Sequence, residues 1–266
     1  MRHSFFCIDA HTCGNPVRLV AGGGPLLPHL GAGTIEEGLI ALRHPGRLSI
    51  ETPAGRVDIT YVMKDGFVDE VRLFNVASYL HASDVAVDVP GVGCLSVDVS
   101  YGGNYYAVVE PQDNWRGLGD MTGGDIVALS QSLRTAIAGV CDPVHPEDER
   151  IRGVHHIIWC DRATTPMADG RCAVFYGDKA IDRSPGGTGT SARMAQLHAK
   201  GRLPVGARFR HESLIGTTFD GRVEAVARVG PYDGIMPSVA GWARIIGHNT
   251  IFVDDRDPLA HGFQIR

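Results

Sequence analysis

No stretch of the 266-residue chain approaches the roughly 18 consecutive apolar residues that a membrane-spanning helix needs. The first residues, "MRHSFFCIDAHTCGN", also lack an apolar segment followed by a small-residue cleavage site, so the cytoplasm is the expected address. Clustered positive charge is missing too. Lys and Arg total 25 against 30 Asp and Glu, for a net charge of -5, and this excludes nucleic acid and anionic membrane as expected partners. No C-x-x-C pair occurs among the six cysteines, Cys7, Cys13, Cys94, Cys141, Cys160 and Cys172. Scattered thiols in a chain this long read as reduced and mostly buried, not as a disulfide framework. Charged residues make up 21% and hydrophobic residues 44%, proportions that exclude wholesale disorder and leave material for two modest domains or one large one.

What the chain does contain is a series of short β-like runs. "FFCID", "RLSIETP", "VDITYVM", "EVRLFNV", "VAVDV", "CLSVDVSYG" and "YYAVVE" come first, separated by Gly or Pro. Several alternate apolar with polar residues, as half-buried antiparallel strands do. "TGGDIVALSQSLRTAIAGV" then reads as a helix, with Thr122 or Asp125 as cap and Ile126, Leu129, Leu133 and Ile137 at spacings of three and four. "GVHHIIWCD", "CAVFYGDKAID", "ESLIGTTFDGRVEAVARV" and "WARIIGHNTIFV" resume the strands. Many strands with few helices predict an α+β fold with mainly antiparallel sheet.

One segment stands apart. "SPGGTGTSARMAQLHAKG", Ser184 to Gly201, is a glycine-rich loop running into a helix expected over Thr190–Lys200. A G-x-G-T turn also opens "GAGTIEEGLIAL" at Gly31, which suggests a two-fold internal repeat and two lobes facing each other across a cleft. From its threonine to its closing glycine the first copy is seven residues shorter, roughly two helical turns. Glycines before a helix admit close approach, and the unpaired N–H groups and dipole of the first turn favour an anion. No lysine follows the last glycine, so the loop is not a P-loop. Gly187 to Ala192 satisfies G-x-G-x-x-A, but Pro185 lies where a dinucleotide fold would end a buried parallel strand. A single carboxylate fits better than a triphosphate or NAD, and the competing reading is a tight turn with no ligand. His155, His156, Cys160 and Asp161 raise the question of a metal. Adjacent histidines on a strand point to opposite faces, so no metal site is expected there.

"DAHTCGNPVRLV", "ETPAG", "VDVSYGGNYYAVV", "KAIDRSPGGTGTSARMAQLHAKG" and "SLIGTTFDGRVE" resemble the proline racemase family over almost the whole chain, in its branch that epimerises hydroxyproline. The resemblance implies two similar lobes of the diaminopimelate-epimerase type, each with sheet wrapped around a central helix. The lobes would comprise residues 1–120 with 248–266, and residues 121–247. It implies a cofactor-independent inversion of trans-4-hydroxy-L-proline to cis-4-hydroxy-D-proline by a thiol pair, one removing the α-proton and the other protonating the opposite face. The site residues it implies are Gly31, Ala32, Gly187 and Thr188 for the carboxylate, Asp182 for the ring ammonium, and His156 for the ring hydroxyl or amine. Proline racemisation, dehydration of trans-3-hydroxy-L-proline and non-catalytic amino-acid binding are the alternatives. The partners expected are this small molecule and no nucleic acid or membrane, with a homodimer left open.

The chain departs from that pattern where the chemistry should be. Gly186 stands where the resembling proteins carry the second cysteine, in "SPCGTGT". The first cysteine, in "MCGHGT" or "MCGAGT", is missing immediately before Gly31, where Leu30 stands. A sizeable block between "GGGPLLPH" and "GAGT" is absent, with most of the helix after it. Cys13 is the nearest remaining thiol, and a buried structural role is expected for it. The expectation is a chain that keeps the cradle and cannot epimerise.

Overall fold

The computed structural model describes residues 2–22, 46–115, 117–119 and 121–260. Eight strands precede the first described helix: β1 (Arg2–Thr12), β2 (Asn15–Gly22), β3 (Arg47–Thr52), β4 (Gly55–Lys64), β5 (Phe67–Phe74), β6 (Ser78–Val89), β7 (Gly93–Tyr101) and β8 (Tyr105–Val109). Helix α1 (Gly123–Ala138) follows, then β9 (Val144–His145), β10 (Asp148–Arg152), β11 (His156–Asp161), β12 (Gly170–Tyr176) and β13 (Ala180–Asp182). Helix α2 (Gly187–Ala199) leads into β14 (Arg208–Glu212), β15 (Thr218–Val229), β16 (Tyr232–Gly241) and β17 (Ala243–Asp254).

The ladder β15–β14–β12–β11–β8–β7–β6–β16 closes on itself, because β15 also pairs with β16. Closure removes the edges of the ring and leaves an interior that α2 fills. Every residue from Gly189 to Leu197 is buried. β8–β11 and β12–β14 are parallel, and the other pairs of the ring are antiparallel. Strands β5, β4 and β3 extend the ladder from β16, while β17–β1–β2 form a separate three-stranded sheet. The lobe boundary expected at residue 120 falls between β8 and α1, and the ring around α2 takes strands from both sides of it.

Half-buried alternation is expected for several of the strands, whereas β8 is buried at all five positions. The reason is that a helix covers each face. Ala107, Val109, Ile157, Trp159, Ala173 and Phe175 point outward onto Ile126, Leu133 and Ile137 of α1. Tyr106, Val108, Ile158, Cys160, Cys172 and Val174 point inward, towards Ala192 of α2. Burial on two faces replaces alternation with a continuous apolar run.

Local chemistry sets the helix ends. Thr122 and Asp125, weighed as alternative caps, act together in a reciprocal capping box. The start of α2 differs from expectation. It begins at Gly187 and not at Thr190, whose hydroxyl instead turns into the interior, 3.0 Å from His211 Nδ1. The polar residues of α2 survive burial because each finds a partner. Arg193 donates to Glu110 at 2.8 Å, the Gln196 amide to Asp98 at 2.6 Å, and the Asn75 amide reaches Ser191 Oγ at 2.9 Å.

The three-stranded sheet is less well covered. Register puts Phe6, Ile8 and Ala10 on one pleat face with Leu19, Val17, Ile245 and Phe252. Phe6, Val17, Leu19, Ile245 and Phe252 are all exposed. An apolar patch of this kind is uncommon on a soluble monomer.

Candidate active site at the start of the central helix

The sheet register assembles the site. On the inward face β11 sets His156 beside Tyr106 of β8, and Val174 of β12 beside Asp182 of β13. Helix α2 starts five residues after Asp182, so its first turn opens next to these side chains. The loop between is held by Asp182 itself. Asp182 Oδ1 accepts the Ser184 N–H and hydroxyl, both at 2.8 Å, and Ser184 Oγ accepts the Gly186 N–H at 3.2 Å. The turn-capping role open for Asp182 is therefore filled by one oxygen. No partner for Oδ2 is found among the described residues.

The first intrahelical bond runs from Thr190 N–H to the Gly186 carbonyl at 2.8 Å. The N–H groups of Gly187, Thr188 and Gly189 thus have no acceptor within the helix, which is the arrangement that receives an anion. Gly186 occupies the N-cap position at φ 74°, with no side-chain cap. That backbone conformation favours glycine, and it accounts for the residue locally. A Cβ added there would lie 3.6 Å from Asp182 Oδ2 and 3.7 Å from Val174 Cγ2, at ordinary contact distance. Space for a Cβ is present, then, but the backbone angle opposes one. Leu73 of β5 lies across from Gly187, 3.8 Å from the Cβ position of that residue.

Two groups not singled out in the sequence complete the site. The Tyr106 hydroxyl lies 2.6 Å from Thr188 Oγ1, and burial pushes its pKa up to about 12. Gly102 lets the β7–β8 corner approach α2, since a Cβ there would meet the Thr188 carbonyl oxygen at 2.3 Å and Ala192 N at 2.5 Å. The paired glycines of "YGGNYY" were the available signal for that approach.

The titratable groups are biased by burial. Desolvation raises the Asp182 carboxyl above its usual range, and the two hydrogen bonds from Ser184 only partly oppose it. His156 packs against the Tyr106 ring at 5.1 Å, and its buried Nδ1 has no hydrogen-bond partner among the described residues. Burial first, and then the charges of His155 and Arg134, push His156 down to about 4, so it stays neutral near pH 7. His155 is exposed, on the other side of the strand start. Cys13 points away from this chemistry. It sits in the cluster around Met194 and Phe219, its Sγ faces the Trp242 and Thr218 carbonyls, and desolvation raises its pKa. Gly31, Ala32 and Leu30, with the first G-x-G-T turn, lie outside the described residues.

A helix threaded through a strand ring thus opens its N-terminus beside a carboxyl and a histidine, an α+β arrangement suited to holding a small carboxylate. The family model described as proline racemase matches residues 29–264, and the chain belongs to that family. It is 60% identical to the 4-hydroxyproline 2-epimerase 2 of Rhizobium rhizogenes (strain K84) over 332 residues that cover all of both chains. It is 49% identical to a probable 4-hydroxyproline 2-epimerase of Rhizobium meliloti (strain 1021), with 99% of each covered. The first of these alignments spans 332 positions against 266 residues, so at least 66 of its positions (332 less 266) have no residue in this chain. Both chains are covered end to end, so those positions are internal.

Among solved structures, the fold matches a probable proline racemase from Agrobacterium radiobacter K84 with bound carbonate. The TM-score is 0.84 at 26% identity, covering 98% of this chain and 96% of that one. It also matches a hydroxyproline epimerase from Agrobacterium vitis with bound trans-4-hydroxy-L-proline. There the TM-score is 0.84 at 22% identity, covering 99% and 95%.

Proposed function

We propose that this chain carries the substrate cradle of a cofactor-independent hydroxyproline 2-epimerase and binds trans-4-hydroxy-L-proline or its C2 epimer at the start of α2. The observation that carries the reading is the open first turn at Gly187–Thr188, set beside Asp182 Oδ2, which has no partner among the described residues. The substrate carboxylate takes the unpaired N–H groups, which would also stabilise charge growing on its oxygens as the α-proton leaves. Asp182 meets the ring ammonium, and the neutral imidazole of His156 lines the ring side. The names of the curated relatives support hydroxyproline over proline as the substrate.

Inversion requires a base on one face of the α-carbon and an acid on the other. Gly186 supplies neither, and at the first thiol position this chain has Leu30. The chain therefore binds without epimerising. Calorimetric titration with pyrrole-2-carboxylate, a planar mimic of the carbanion, should show binding that Asp182→Ala weakens. Polarimetry of trans-4-hydroxy-L-proline should show no conversion. Tight binding of ATP or NAD with no response to the pyrrole would refute the cradle, and measurable epimerisation would refute the assignment of the two faces.

A further inference from the structure

Gly186 presents no side chain to one face of the proposed substrate, and a Cβ built there would meet its nearest atoms only at 3.6–3.8 Å. The nearest of them is a carboxyl oxygen: Asp182 Oδ2 lies 3.6 Å from the position of a Cβ on Gly186. Its partner oxygen, Oδ1, is engaged by the Ser184 N–H and hydroxyl, which fix the carboxyl group's orientation. The next nearest atoms are the Val174 methyl at 3.7 Å and the Gly189 backbone nitrogen at 3.8 Å, and neither a methyl nor an amide N–H can act as a base.

We propose that Asp182 is the acid–base group of this chain, exchanging the substrate α-proton on the Gly186 face with retention of configuration. The inference rests on the carboxylate cradle proposed above. In the forward step the Cα–H bond breaks and an O–H bond forms on Asp182 Oδ2. The electron pair passes into the substrate carboxylate as an enolate, held by the N–H groups of Gly187 and Thr188. Asp182 then exchanges its proton with solvent and returns a solvent-derived proton to the same carbon. Nothing is oxidised or reduced, and no co-reactant is needed.

The role is compatible with contact to the ring ammonium, because nitrogen and Cα are bonded neighbours and one oxygen can reach both. Burial raises the carboxyl's basicity above that of an exposed aspartate, in the direction base catalysis needs. Retention follows from the placement of Asp182. Its Oδ2 borders the Gly186 side, and the oxygen that removes the proton returns one to the same face, so exchange goes on without inversion.

The test is incubation of trans-4-hydroxy-L-proline with the purified chain in D2O, with deuterium at Cα read by NMR and configuration by chiral chromatography. The expected result is incorporation above the protein-free background with no cis-4-hydroxy-D-proline. The rate should rise with pH while Asp182 ionises and then level off, whereas hydroxide or a thiol would drive a continued rise. Asp182→Asn keeps an oxygen for Ser184 and should reduce incorporation to background, and Cys13→Ser should leave it unchanged. Pyrrole-2-carboxylate titration of each variant separates the two ideas. If the parent does not bind the pyrrole, the cradle fails. If it binds and no deuterium enters, or if Asp182→Asn exchanges as fast as the parent, the role of Asp182 is overturned.

Discussion

Gly102→Ala tests the packing that holds α2 in place. The added methyl carbon would sit 2.3 Å from the Thr188 carbonyl oxygen and 2.5 Å from Ala192 N, both backbone atoms that no rotamer change can move. Nor can the corner itself retreat freely, since the Gly102 carbonyl accepts the Asn75 amide at 2.8 Å and the same amide bonds Ser191 of α2. Relief requires the first turn of α2 to shift. Overpacking of this severity costs about 3 kcal/mol, which in a chain of this size lowers Tm by about 6–12 °C. The same shift displaces the N–H groups of Gly187 and Thr188. Loss of one hydrogen bond to a charged ligand, about 1.5–3 kcal/mol, weakens pyrrole-2-carboxylate binding roughly 10- to 100-fold. Differential scanning calorimetry and titration read the two effects. Gly124→Ala is the control: it lies in α1, where a Cβ meets only Thr122 Oγ1 at 3.6 Å, and it should stabilise by up to about 1 kcal/mol. If Gly102→Ala melts and binds like the parent, the corner does not pack against the helix as described.

Other consequences follow from burial and charge. Burial alone would raise the Glu110 carboxyl, but Arg193 and Arg202 outweigh it and hold the group at about 2 instead of 4.5. That contribution is complete above pH 4.5 and is lost as pH falls towards 2. Urea midpoints at pH 6 and pH 3 should therefore draw closer in Glu110→Gln than in the parent, from a less stable starting point. His211 is buried and held at about 3, first by desolvation and then by Arg193, so it stays neutral while the unfolded chain's histidine protonates. Stability should fall as pH drops from 6.5 towards 3 on this account, and His211→Asn should show a shallower fall in the same titration. The exposed apolar face of β1, β2 and β17 should enhance the fluorescence of anilinonaphthalene sulfonate, and Leu19→Lys with Ile245→Lys should reduce that signal several-fold without lowering Tm.

Much of this protein was legible in its residues because the signals are local. Gly or Pro between β-branched runs marked the strands, Thr122 and Asp125 marked the start of α1, and "SPGGTGT" marked a helix N-terminus without a lysine. Those cues act within a few residues of chain, where sterics and hydrogen bonding are decided by residue type. The match of five segments to one family likewise needed only their order and spacing. Asp182 could be named as a candidate site residue from one of those segments, and His156 as another from "GVHHIIWCD".

The ring closure, the two-faced burial of β8 and the neighbours of Gly186 needed the tertiary structure. A run such as "YYAVV" is equally consistent with one covered face or two, and only the positions of α1 and α2 decide between them. Gly102 is marked only by its place in a pair of glycines, and Tyr106 carries no local mark of function. Tyr106 matters because strand register and a buried helix bring its hydroxyl within 2.6 Å of Thr188, 82 residues away in the chain. The orientation of Asp182 has the same origin. The sequence shows an acid four residues before a glycine, and folding decides that one of its oxygens is tied to Ser184 while the other borders the space where a thiol is missing. Long-range contacts of this kind depend on loop closure and on the packing of the whole ring, and no short stretch of chain encodes them.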